Sequence, residues 1–179
     1  RILRSRGKYQ ESLKLMEEAI PCLLQEDLAE RVDLPLEQAM NLLFSGQLVE
    51  AETILRPALA KAESRYDAFI IAHLAMALGN LYFVRGELWK AMEMIRRSTS
   101  VAAEPIMTNY FLCDDAALIY MEWGEIDQAL AHARRGIAVL EGAGLLEILP
   151  SAYLQLAFVL METGDMAAAA DGFRRAISL

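Results

Sequence analysis

Five times along the chain a glycine is followed two residues later by a larger apolar or aromatic residue and five residues later by a small one. The sets are Gly7-Tyr9-Ser12, Gly46-Leu48-Ala51, Gly86-Leu88-Ala91, Gly124-Ile126-Ala129 and Gly164-Met166-Ala169. Their spacing is nearly even at about forty residues, within the range of solenoid repeats. The pattern extends to both sides of the glycine. Seven residues before it stands a small residue (Ala39, Gly79, Ala117, Ala157), and four before it a larger one (Leu42, Tyr82, Tyr120, Leu160). Nine residues after it comes a mostly large apolar position (Met16, Leu55, Ile95, Phe173, but Ala133), and twelve after it a small one (Ala19, Ala58, Ser98, Gly136, Ala176). Offsets built from threes, fours and sevens put each set on one face of a helix. Small residues let two helices approach, and the larger ones fill the space beside the contact. Glycine fits the corner between them, where a positive φ costs it little. The expected fold class is therefore all-α, an array of helical hairpins, and an array of this kind binds rather than catalyses.

The order small, aromatic, glycine, aromatic, alanine across two antiparallel helices resembles the tetratricopeptide repeat. The resemblance covers the whole chain, 1–179, and implies one right-handed superhelical array of antiparallel helix pairs. It departs from the family in two ways. The first repeat has lost its first helix, of which only Arg1 to Arg6 could be a remnant. The family's usual period is about 34 residues, so longer helices or longer connections must hold the excess. Second helices are expected at about 8–24, 47–64, 87–103, 125–141 and 165–179, and first helices at about 34–44, 66–84, 106–123 and 147–163. Pro35, Pro105 and Pro150 fall near the starts of first helices, where a missing amide hydrogen is tolerated. Pro21 and Pro57 fall inside or near the end of second helices, so a kink or an early stop is expected at each. The acid-rich residues 25–33 are expected to form a separate turn or an extra helical turn.

With 55% apolar residues and no strongly biased stretch, the chain can bury a continuous core, and one elongated domain is the economical count. It begins with arginine and ends within a helix, so it is expected to be part of something longer. Cys22 and Cys113 lie in different repeats without metal-type spacing, which suggests ordinary thiols in a reducing compartment. The run Ala68 to Val84 carries no charged residue if His73 is neutral. It is slightly short for a membrane span and holds His73, Gly79 and Asn80 in register with a first helix, so a buried or groove-lining helix is expected instead. A net charge of −8 and a pI near 4.8 argue against direct nucleic-acid contact, which depends on neutralising phosphates. Arginine pairs at 96 and 97, 134 and 135, and 174 and 175 recur at fixed positions. They are expected to be solvated groups in weak surface pairs with nearby acids rather than a basic stripe.

Enzymatic readings find little support. His73 and His132 lie on different repeats without a metal motif's spacing. Asp114 and Asp115 are neighbours on a helix, so their side chains diverge by about 100° instead of converging. Gly142-Ala143-Gly144 lacks the lysine and preceding strand of a phosphate loop and reads as a helix stop. No catalytic residue, metal site or cofactor is expected.

In tetratricopeptide arrays the first helices line the concave wall. The resemblance thus implies a ligand- or partner-binding wall of His73, Met76, Asn80 and Phe83 in one repeat. Phe111, Asp114, Leu118 and Met121 follow in the next, then Ser151, Leu154, Phe158 and Met161. The family's clamp for a peptide's terminal carboxylate uses lysine or arginine at several such places, and none is present. Two accounts fit these residues. They form a groove for an uncharged or apolar ligand or segment, oriented by His73, Asn80 and Asp114 with methionines as adaptable contacts; or the apolar members are core between stacked hairpins and the polar ones incidental.

A narrower resemblance rests on Leu118-Ile-Tyr-Met-Glu-Trp-Gly-Glu-Ile-Asp-Gln-Ala129, continuing through His132 to Leu140. It is similar to the repeats of MalT-like, LuxR-type ATP-dependent transcription regulators. That family's superhelical region receives an inducer or inhibitory protein and signals to an ATPase module upstream and a helix-turn-helix downstream. The resemblance implies a cytoplasmic, non-catalytic sensor arm with a small-molecule inducer or a protein segment in its groove. The alternative is a tetratricopeptide scaffold that holds a protein segment with no switch attached. Met166, Phe173 and Ile177 on the final helix, with no capping helix after it, are expected to promote self-association.

Overall fold

A computed structural model of the chain describes Leu3 and residues 6–22, 33–101 and 115–179. The expectations for most of Arg1 to Arg6, for residues 25–32, and for Pro105, Phe111, Cys113, Asp114 and the start of the helix at 106–114 lie outside the described residues. The described residues form helices and turns, with no strand among them. The order is α1 (Tyr9–Ala19), a 3-10 turn (Ile20–Cys22), α2 (Asp33–Phe44), α3 (Leu48–Ser64), α4 (Ala68–Val84) and α5 (Leu88–Val101). Then come α6 (residues 115–122), α7 (Ile126–Ala143), α8 (Leu149–Glu162) and α9 (Met166–Ser178).

The recurring glycines are the corners. Gly7, Gly46, Gly86, Gly124 and Gly164 all have φ between 71° and 80°, the left-handed region that side chains disfavour. At four of the five corners the amide after the glycine bonds back to a carbonyl five residues earlier. Examples are Gln47 to Leu42 and Glu87 to Tyr82, at 2.9 and 2.8 Å. This is the cap that satisfies orphan carbonyls at a helix end. Gly144, at φ 68°, stops α7 in the same conformation, while Gly142 remains helical.

Side-chain size then sets how closely the rods pack. Ala39, Ala117 and Ala157, seven before their glycines, and Ala51, Ala91 and Ala129, five after, are completely buried. At Gly79 even one added carbon would lie 3.3 Å from Ile95 Cγ1, and at Gly172 it would lie 3.0 Å from Ala157 Cβ. The expected hairpin interface is thus a seam of small residues, closed by Leu55, Leu74, Leu78, Leu81 and Ile119. From α1 to α5, and again from α7 to α9, each helix packs on the next, and α2 also touches α4, so these first helices of neighbouring repeats stack side by side. One core cluster runs from Leu13 to Ile119, and a second joins Ile137 and Leu140 to Leu149, Ala152 and Tyr153.

The uncharged run Ala68 to Val84 is α4, flanked by α2, α3 and α5, with buried residues around most of its circumference. That placement explains its lack of charge. No described helix is long and apolar enough to cross a membrane. Pro21 falls in the 3-10 turn that ends α1, an early stop as expected. Pro57 does not stop its helix: α3 runs through it to Ser64. The backbone bond lost there is outweighed by the burial of Ala51, Leu55, Leu59 and Ala62 along the opposite face. In the fully described interval from Gly46 to Gly86 the excess over the 34-residue period sits in the helices, since α3 and α4 each span 17 residues.

Candidate functional site

The wall residues on α4 recur at spacings of three and four and so share a face. Each is half-buried rather than exposed. His73 lies with Nδ1 2.8 Å from the Phe69 carbonyl, so this nitrogen carries the hydrogen, and its ring sits 4.2 Å from that of Phe69. Phe83 packs against the main core cluster. Asn80, with its amide nitrogen turned to Asp115, donates to both carboxylate oxygens at 3.1 and 3.3 Å. This bond crosses to the first helix of the next repeat, so Asn80 serves a joint. On α6, Leu118 and Met121 are likewise half-buried, while Phe111 and Asp114 lie outside the described residues.

On α8 the same register is open. Leu154, Phe158 and Met161 are 40, 50 and 40% exposed. Phe158 meets the Phe173 ring edge-on at 5.5 Å, which fixes it to α9 while leaving a face to solvent. Ser151 is exposed and donates its hydroxyl to the Ile148 carbonyl at 2.7 Å. The ten described wall residues therefore divide: those on α4 and α6 are partly covered, and Leu154, Phe158 and Met161 on α8 make an accessible apolar stripe beside Ser151.

A polar joint on the other side of α4 is absent from the sequence reading. Glu52 on α3 accepts from Tyr82 Oη at 3.0 Å and from Arg56 Nε at 2.7 Å, and its second oxygen pairs with Arg85. Arg56 also donates to Tyr82 Oη at 2.8 Å. Arg85 Nε reaches Glu87 at 2.7 Å, and Glu87 pairs with Lys90. Lys90 and Arg56 lie 5.6 and 6.0 Å from the Tyr82 ring centre. Burial pulls the Glu52 carboxyl up, but hydrogen bonds from Arg56, Tyr82 and Arg85 outweigh it, leaving the group below its ordinary pKa. The Tyr82 hydroxyl is raised, by burial first and then by its bond to Glu52. The sequence does carry a signal for this joint. Six residues after the glycine the column reads Leu13, Glu52, Met92, Leu130, Ala170, one acid in an apolar series. Beside this joint lies an open cleft of about 380 Å³ with Leu59, Leu78 and Met94 on its floor and Arg56, Glu63, Lys90 and Glu93 around it.

The arginine pairs are surface groups: Arg97 pairs with Glu63, and Arg174 and Arg175 with Asp171 at 3.3 and 3.2 Å. Exposed pairs of this kind contribute little to stability. His132 stacks on Tyr120 at 5.2 Å, and burial, then the charge of Arg135, lower its pKa. Among the described residues no three histidines, cysteines or acids cluster as a metal site would need.

Left-handed glycine corners, seams of alanine and side-by-side first helices define a tetratricopeptide-type superhelix. Solved structures of that type share the fold. A thermophilic TPR protein of Thermus thermophilus is 19% identical, with a TM-score of 0.71 over 98% of this chain and 85% of that one. TPR-like repeats of a Podosopora anserina putative kinesin light chain are 18% identical, with a TM-score of 0.65 over 99% and 89%. MamA from Desulfovibrio magneticus is 15% identical, with a TM-score of 0.61 over 99% and 88%. No curated protein sequence matches the chain. The model of the MalT-like TPR region matches residues 1–179, and the chain belongs to that family.

Proposed function

We propose that the chain is the non-catalytic sensor region of a bacterial transcription regulator, working in the cytoplasm and receiving a small-molecule inducer or a protein segment. The observation that carries the proposal is the open apolar stripe of Leu154, Phe158 and Met161, held on α8 of a MalT-like TPR array. Apolar side chains on a rigid helix give a ligand area to bury, and methionine adapts to its shape. Each repeat contacts only its neighbours, so a ligand bridging two of them would favour one curvature over another, a population shift that a module elsewhere in the regulator could read. The net charge of −8 disfavours phosphate contact by this array, which is consistent with DNA being held elsewhere in the regulator.

Thermal-shift screening of candidate inducers and partner proteins tests the proposal, with Phe158→Ala as the control. A ligand that raises the melting temperature of the parent but not of the variant supports it. Silence from every candidate counts against a sensor. A scaffold without a switch is the second reading. It is favoured by the stripe's lack of an available polar anchor, since Ser151 donates its hydroxyl to its own helix. An ATP-binding GxxxxGK[ST] loop upstream and a helix-turn-helix downstream in the complete protein would favour the regulator, and their absence the scaffold.

A further inference from the structure

Trp89 is the largest side chain that this protein leaves in water. It is 77% exposed at a repeat corner, and the preceding corner likewise leaves Phe44 and Val49 50 and 68% exposed. Its ring is held in place. Trp89 lies tilted at 34° with its ring 4.5 Å from that of Trp123 of the next repeat, Trp123 meets Tyr120 edge-on at 5.7 Å, and Tyr120 stacks on His132 at 5.2 Å. The indole is thus the end of a row of four rings. Val84, at the same corner, is 59% exposed.

The charges around it are one-sided. Toward α4 and α5, Arg85, Glu87 and Lys90 pair with one another and with Glu52, so that flank is electrically satisfied. Around Trp123, at the next corner, stand Glu122, Glu125 and Asp127, all exposed and with no ion-pair partner among the described residues. In the last corner the positions of Val84 and Trp89 are held by Glu162 and Ala167, so the aromatic platform belongs to this joint and not to the repeat as such.

We propose that the Trp89 corner is a second docking surface, separate from the α8 wall, for an arginine- or lysine-bearing amphipathic segment of a partner protein. A guanidinium or ammonium group would lie on the exposed indole face, where the ring quadrupole attracts it. Neighbouring cations would meet Glu122, Glu125 and Asp127, and apolar residues of the same segment would cover Val84. The acidic rim repels phosphates and carboxylates, which excludes nucleic acid and acidic peptides as occupants. A second copy of this chain, itself at −8, is disfavoured for the same reason.

Both tryptophans of the protein sit in this joint, so intrinsic fluorescence reports on it directly. The probe is an amphipathic helical peptide with leucine on one face and arginine on the other, compared with the same peptide carrying glutamate for arginine. Saturable change in tryptophan emission with the arginine peptide, weakened by salt and absent with the glutamate peptide, is the expected result. Anisotropy of labelled peptide then measures variants. W89A and the combined E122Q, E125Q and D127N substitutions should each weaken binding about tenfold, with helicity by circular dichroism unchanged. F158A should bind as the parent does, which keeps this test independent of the α8 wall. Equal affinity of parent and W89A would reduce the interaction to general attraction by an acidic protein and overturn the proposal. So would equal binding of the glutamate peptide, or self-association that depends on Trp89 in the absence of peptide.

Discussion

Gly172 is a place where one methyl group tests the packing of the hairpin that carries the open wall. A carbon added there lies 3.0 Å from Ala157 Cβ and 3.4 Å from both Ala157 Cα and the Tyr153 carbonyl. None of these atoms can rotate away, because an alanine Cβ is fixed by its backbone. Gly172→Ala therefore forces α9 off α8, by several tenths of an ångström if ordinary van der Waals contact is to return. Overpacking of this sort costs about 1 to 3 kcal/mol, while alanine gains about 1 kcal/mol over glycine in a helix. The net is a loss of about 1 kcal/mol at the middle of the first range, or about 2 to 4 °C in melting temperature for a chain of this size. Gly142→Ala is the matched control. Gly142 is also helical but has nothing within 4 Å of the added carbon, so only the propensity gain applies and the variant should melt higher. Thermal unfolding followed by circular dichroism reads both. If Gly172→Ala rises alongside Gly142→Ala, the helices are not in contact at this point and the fixed position of Phe158 against Phe173 fails with it.

Three further outcomes are open to measurement. Tyr66 holds the corner after α3 at φ 56° while 91% exposed, so Tyr66→Gly relieves left-handed strain without losing packing and should stabilise by about 1 kcal/mol; a lower urea midpoint would contradict the corner's geometry. Glu52, with its folded pKa lowered, adds stability that is complete above about pH 4.5 and is lost as pH falls through the depressed value. Glu52→Gln should therefore be less stable than the parent at neutral pH and converge with it in acid, and parallel stability curves would remove the carboxylate from the joint. Met166 and Ile177, 60 and 84% exposed on α9, should drive weak self-association that Ile177→Asp suppresses, and sedimentation unaffected by concentration in the parent would refute it.

The corners and seams are legible in the sequence because their physics is local. A left-handed turn demands glycine and a close helix contact demands a small side chain, so both leave a fixed residue at a fixed offset. Of the kink or early stop expected at Pro57, the stop does not occur, because the burial that holds α3 together lies along the opposite face and outweighs one missing bond. The wall positions can be placed in register, but their accessibility cannot be read. Asn80 and Phe158 occupy the same position in their repeats, yet one is bonded to the following repeat and the other stands open. That difference lies in what stacks next, and no offset from a glycine encodes it. Glu52 shows the reverse case, a residue whose partners Tyr82 and Arg85 are distant in sequence but whose oddness in an apolar column is visible without them.

Joints of such different chemistry give the array unequal hinges. Between the first two corners the contact is Tyr9 on Phe44 at 5.7 Å, between the next two it is the charged set of Glu52 and Arg85, and between the third and fourth it is Trp89 on Trp123. Aromatic contacts are insensitive to salt, whereas a partly exposed ion-pair network is screened by it. In a solenoid the stability is close to a sum over neighbouring interfaces, so the weakest joint decides where the array bends or opens first. Raising ionic strength should therefore loosen the joint between α3 and α4 ahead of the other two. Amide exchange in those helices should accelerate with salt while that around Trp123 stays constant. Uniform acceleration along the array would mean that the joints act as one unit, and a ligand at α8 would then have no particular hinge through which to change curvature.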